Sequence, residues 1–162
     1  MEFSTTFYRS FSRSLAALLL VLTCWAQAEL MVNWECGFEV QIPDTWLRRD
    51  LKEQGLKLSS DDVRINIEPY VGVTYANQIQ RLHKLTKEEQ HMEFKSERDL
   101  QIHGVDCHEM IFYRNDRYKI YYVFKAGQGG FLWTILSDST DSPAFMESQG
   151  ILDSFVITPK QG

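Results

Sequence analysis

No apolar run in the chain approaches the roughly 20 residues that a membrane-spanning helix needs; the longest, Leu15 to Ala26, has about a dozen. A basic excess is also missing. Lys and Arg number 17 against 22 Asp and Glu, for a net charge of −5. That balance argues against a nucleic-acid partner, whose phosphates require a basic face, and against electrostatic attachment to anionic lipid. Cysteines are three in 162 residues, and with 44% apolar residues the chain can build a core without staples. There is no internal repeat, low-complexity run or linker. The G-x-S-x-G turn of a serine hydrolase is absent as well.

What is present begins with an export signal. Arg9 and Arg13 precede the apolar run, and Ala26-Gln27-Ala28 supplies small residues at alternate positions before Glu29. This pattern predicts a bacterial Sec-type leader over 1–28, cleaved between Ala28 and Glu29, and hence a secreted or periplasmic protein. Cys24 follows Val21-Leu22-Thr23, but Thr23 fits poorly where a lipobox has a small residue, so Cys24 reads as part of the leader's apolar core. Cleavage leaves one domain, 29–162, and removing two basic residues and one acidic shifts the net charge from −5 to −6. Two cysteines remain, Cys36 and Cys107. In an oxidising compartment the even count predicts one disulfide between them, closing a loop of about 70 residues worth roughly 4 kcal/mol. The alternative is a pair of buried strand cysteines acting as small apolar residues.

The longest stretch of sheet character runs from Asp106 to Ser137. In Arg117 to Lys125, the residues Tyr118, Ile120, Tyr122 and Phe124 share one face, and Lys119, Tyr121, Val123 and Lys125 share the other. Cys107 to Tyr113 precedes this strand and Phe131 to Leu136 follows it. Asn115-Asp116 and Gly127 to Gly130 serve as turns, which gives an antiparallel meander. Upstream, Phe38, Val40 and Ile42 alternate into Pro43, and Val63 to Glu68 alternates without exception before Pro69 ends the strand. Met31 to Glu35 is a short mixed segment, and Leu47 to Gly55 shows no clear period. Thr74 caps a helix running to about Gln90, with Tyr75, Ile79 and Leu82 on one side. Met92 to Ile102 is a strand turned by His103-Gly104. Ser142-Pro143 opens a second helix to about Leu152, and Phe155 to Ile157 forms a tail strand. The class is α+β, a single-domain antiparallel sheet whose helices are expected on its apolar face.

Several residues could carry chemistry. His103, Cys107 and His108 lie close together, with His83 and His91 further back, but their spacing matches no zinc pattern. Cys107 and His108 must also point to opposite faces of a strand, so no metal and no cofactor is expected. Ser137 to Ser142 offers oxygens for calcium without the EF-hand's glycine and glutamate, and reads as a polar loop leading into a helix cap. Glu88 and Glu89 diverge by about 100° on a helix and form a solvated face. The face bearing Lys119, Tyr121, Val123 and Lys125 mixes aromatic and cationic character as interfaces do, and is the expected recognition surface, with Tyr121 partly exposed.

Gly37 to Trp46, an aromatic alternating strand running into Pro43 and then Trp46, resembles the opening of the PsbP, DcrB and Mog1-like superfamily. Leu100 to Val105 is similar to that family's strand and glycine turn before the aromatic meander, and Ile151 to Phe155 to its closing helix. The resemblance covers most of 29–162. It implies a small α/β/α sandwich used as a non-enzymatic binding or accessory module with a protein partner, of immunity type among other uses, and it transfers no ligand site. The alternative from another class is a small metal-dependent or hydrolytic envelope enzyme.

Overall fold

The computed structural model describes residues 28–159. Most of the expected leader, with Ala26 and Cys24, lies outside them, while Ala28 and Glu29 open the first strand. Ten strands and two α-helices follow. They are β1 Ala28–Asn33, β2 Phe38–Pro43, β3 Leu47–Asp50, β4 Leu56–Ser59, β5 Val63–Val71, α1 Tyr75–Lys84, β6 Glu93–Ile102, β7 Val105–Arg114, β8 Arg117–Ala126, β9 Gly129–Ser137, α2 Pro143–Asp153 and β10 Val156–Ile157. Seven strands form an antiparallel sheet in the order β3-β4-β5-β9-β8-β7-β6, and β1, β2 and β10 form a second, smaller sheet.

The turns of the meander follow from their residues. His103 and Gly104 (φ 50° and 76°) join β6 to β7, and Asn115 and Asp116 (φ 51° and 57°) join β7 to β8. Positive φ at both central residues matches the right-handed twist of the flanking strands. The third turn is shorter than its glycines suggest. Only Gly127 and Gln128 lie between the paired Ala126 and Gly129, and Gly130 belongs to β9. A Cβ on Gly130 would stand 1.8 Å from the Phe124 carbonyl oxygen and 2.7 Å from the Tyr70 hydroxyl, so this glycine serves a close approach between strands.

Each face of the large sheet carries its own layer. On one face Ile65 and Ile67 of β5, Trp133 and Ile135 of β9 and Ile120 and Phe124 of β8 pack against Phe38, Val40 and Ile42 of β2 and Ile151 and Leu152 of α2. Phe155 stacks within 5.5 Å of Phe38, Phe124, Phe131 and Trp133. On the other face Met110, Phe112, Tyr121 and Val123 receive Leu82, Ile79 and Tyr75 of α1. The result is the α/β/α sandwich, but the expectation of both helices on one side is overturned. The mixed face of β8 is apolar enough in its middle to need its own cover, and α1 supplies it.

That cover also corrects the proposed recognition surface. Tyr121 is 2% exposed and Val123 is fully buried. Lys119 is half-buried, donates to Gln90 Oε1 at 2.9 Å and lies 5.2 Å from the Tyr121 ring. Of the four, only Lys125 is exposed.

The disulfide expectation is likewise corrected, because no bond joins Cys36 and Cys107. The Cys36 thiol donates to the Lys52 carbonyl at 3.1 Å, beside the β3–β4 connection. Cys107 sits on β7. Cys36 lies beside Tyr70, Gly130 and Phe131 at the ends of β5 and β9, whereas Cys107 pairs with Phe124 of β8. Both residues are buried in one core, the small-apolar role left open by the sequence.

Two smaller differences have local causes. β5 continues through Pro69 because the residue of the same parity, Ile67, points its carbonyl towards Gly55, and β4 ends at Leu56, opposite Ile67. The missing N–H of Pro69 therefore faces the side on which no strand pairs with β5 beyond Ile67. Leu47 to Gly55 divides into the fully exposed strand β3 and a 3-10 turn, Lys52–Gln54, and exposure on both faces is why no period shows.

Candidate functional site

α1 begins as its cap predicts, with the Thr74 hydroxyl accepting from the Asn77 N–H at 3.3 Å. It stays α-helical to Lys84 and then widens into a π turn, Leu85–Glu89. Such turns are rare and frequently mark functional positions. His83 is the second residue from the end of the α-helical part. Its ring packs 5.5 Å from Phe94 and 5.9 Å from the buried Phe112, so two aromatic rings set its orientation.

The β6–β7 hairpin brings the other members. Its register pairs Glu97 with Met110 and Asp99 with His108, and directly opposed residues share a face. Met110 lies under α1, so Glu97, Asp99 and His108 face the same layer as His83. His83 Nε2 stands 2.6 Å from Glu97 Oε2, and His108 Nε2 stands 3.3 Å from that same oxygen. His108 Nδ1 lies 2.7 Å from Asp99 Oδ1. The side chains are 32%, 43% and 12% exposed for His83, Glu97 and His108. The His83 hydrogen bond, with help from His108, holds the Glu97 carboxyl below its usual range. One ligand atom from each of the three lies within 4.8 Å of the others, a set able to hold a metal ion.

The remaining sequence candidates are placed apart. Cys107 turns into the core on the opposite face, as strand parity requires. His103 Nε2 meets the Asp153 carbonyl at 2.5 Å at the far end of α2, and exposed His91 occupies a positive-φ position after the π turn. In the Ser137 to Ser142 loop, Ser137 Oγ donates to the Ser139 carbonyl and the Ser142 hydroxyl caps α2 by accepting from the Phe145 N–H. Its oxygens are thus used in turning the chain. Lys125 Nζ lies 3.9 Å from Asp106 across exposed strand positions.

A second polar group sits on the other face. Arg98 clasps the buried Glu109 with two hydrogen bonds of 2.6 and 3.2 Å, and the neighbouring Tyr122 hydroxyl donates to Gln149 of α2 at 3.3 Å. Burial and Glu109 push the Tyr122 phenol well above its ordinary value. This arrangement neutralises a buried carboxylate and ties α2 to the sheet.

Sequence reasoning considered His83 and His108 but missed Glu97 and Asp99. The signal was the turn itself, since a two-residue loop at His103-Gly104 fixes Asp99 opposite His108.

No known family profile and no curated protein matches the sequence. Solved structures do resemble this one. Cyanobacterial PsbP (CyanoP) from Synechocystis sp. PCC 6803 superposes with a TM-score of 0.59 at 14% identity, over 82% of this chain and 93% of that one. The Ran-binding protein Mog1p of Saccharomyces cerevisiae gives 0.50 at 9% identity, over 80% and 95%. A Bacteroides thetaiotaomicron protein gives 0.50 at 14% identity, over 83% of this chain and 50% of that one. The strand order, the meander and the helix on each face thus give this chain the PsbP/Mog1-like fold.

Proposed function

We propose that the protein is a non-catalytic accessory module of the secreted or periplasmic compartment that works by binding a protein partner. The observation that carries this reading is the exposure of large apolar side chains at Trp34, Leu47 and Met146, and the state of three reactive groups agrees with it. Burial pushes the Cys107 thiol up to about 12, and the Tyr70 and Tyr75 phenols to about 12. A working nucleophile is activated in the opposite direction. The leader pattern around Arg9, Arg13 and Ala26 to Ala28 supports the compartment, and among the described residues no helix is long and apolar enough to cross a membrane. The fold supports the mode of action, since Mog1p, a Ran-binding protein, shares it. Trp34, Leu47 and Met146 offer contact surface of the kind partners use.

A photocrosslinking residue placed in turn at Trp34, Leu47 and Met146 tests the reading in the living cell. A discrete adduct in the extracytoplasmic fraction, from protein whose intact mass begins at Glu29, is the expected result. Protein that forms no adduct at any position yet turns over a panel of esters and phosphoesters overturns it. The convergence of His83, Glu97 and His108 favours the second reading, a small metal-dependent envelope enzyme, for which that turnover would be abolished by a chelator.

A further inference from the structure

His108 is placed so that each ring nitrogen has a carboxylate in front of it, an arrangement satisfied either by a doubly protonated ring or by a neutral ring with a cation at one nitrogen. A neutral imidazole has one N–H and one lone pair, and both of its ring nitrogens face carboxylates, Asp99 at 2.7 Å and Glu97 at 3.3 Å. Carboxylates only accept. In the neutral tautomer that gives its Nδ1 proton to the closer Asp99, the Nε2 lone pair is directed at Glu97 Oε2. His83 Nε2 is directed at that same oxygen. Two imidazole nitrogens and one carboxylate oxygen therefore converge on a single point, with His108 almost wholly sheltered and Glu97 reaching solvent.

We propose that His83 Nε2, His108 Nε2 and Glu97 Oε2 are the ligands of a site for a divalent transition ion of the zinc type. Asp99 holds His108 in the ligating tautomer, and the fourth position opens to water. In tetrahedral coordination with bonds near 2.1 Å, neighbouring ligand atoms stand about 3.4 Å apart. His108 and Glu97 already have this separation. His83 and Glu97 need to part by under about 1 Å on the same geometry, and the π turn after His83 provides a widened helix end beside it. Two nitrogens and one oxygen suit borderline ions and are too few and too soft a set for calcium or magnesium. The carboxylate behind His108 is the outer-shell partner that metal-bound histidines almost always have. Phe94 and Phe112 fix the His83 ring from the apolar side, so the site is held by packing on rigid elements.

The test uses the full chain without a histidine tag, stripped by chelator and titrated with Zn2+ by calorimetry and with Co2+ by visible absorption. One ion per chain and a Co2+ spectrum of tetrahedral intensity are expected. His108→Ala should weaken binding by at least about 100-fold, and Asp99→Asn by about 10- to 100-fold, the usual effect of losing an outer partner. His91→Ala and His103→Ala should bind as wild type, and thermal unfolding of every variant checks that the fold is intact. Absence of binding by folded wild-type protein overturns the proposal. So does binding that survives in a folded His83→Ala/His108→Ala double variant, which would place the ion elsewhere.

Discussion

The hydroxyl of Tyr121 accepts a hydrogen bond from Thr86 at 3.2 Å, inside a cluster where its ring meets Phe112 edge-on at 6.0 Å. Thr86 is itself fully buried, so the pair is a polar contact sealed between α1's π turn and the sheet. Two substitutions separate its parts. Tyr121→Ala opens a cavity under the helix and should cost about 3 to 5 kcal/mol in urea unfolding, the range for large aromatic deletions from cores. Tyr121→Phe keeps the ring but strands the Thr86 hydroxyl, and should cost about 1 to 2 kcal/mol. A near-neutral Tyr121→Ala would restore the recognition surface that alternation in β8 suggested. Alternation shows which residues share a face; it does not show whether a helix returns to cover it. Lys119 and Lys125 made that face look wet, yet they sit at its ends, and the two residues between them are core.

Among the elements, β4 depends on one backbone approach. Gly55 has φ +107°, and a Cβ there would stand 1.9 Å from the Ile67 carbonyl oxygen. Gly55→Ala thus combines a left-handed φ with a clash against backbone, and should cost about 3 kcal/mol or more. Ser142→Ala removes one cap hydrogen bond and should cost about 1 kcal/mol. Urea midpoints of the two variants measured side by side check the ranking. Elements whose residues specify them locally were legible in the sequence. The capping Thr74 and Ser142-Pro143, the Asn115-Asp116 turn and the alternation of β5 and β8 each carry a local physical cause. β1 was not legible, because Glu29, Leu30 and Met31 offer no clean period and the strand exists through its pairing with β2. The candidate metal site was half legible. Strand parity correctly separates Cys107 from His108, and the His103-Gly104 turn contains the register that joins His108 to Asp99. The contribution of His83 depends on α1 crossing the face of β7, which no local pattern encodes.

Across the whole molecule, the buried Cys107 thiol and the partly buried Tyr70 and Tyr75 phenols make stability sensitive to base. In the unfolded chain Cys107 ionises near 9.0 and Tyr70 and Tyr75 near 10.0, whereas in the folded protein all three hold their protons to about 12, burial being the first cause. Tyr122 moves in the same direction. Between those values the native state binds more protons than the unfolded state, so unfolding free energy falls as pH rises. The contribution is fully present below pH about 9 and is lost progressively towards about 12, the folded-state values. Cys107→Ala removes one of the two thiols, Cys36 and Cys107, that ionise first in the unfolded chain. Relative to its own value at about pH 8, its stability should therefore fall less steeply than that of wild type as pH rises through about 9 to 10. Urea midpoints taken at intervals from about pH 8 to 11 would show the difference in slope. Parallel declines in the two proteins would mean that Cys107 gains no protection from burial, contrary to its place between β7 and the layer of β2 and α2.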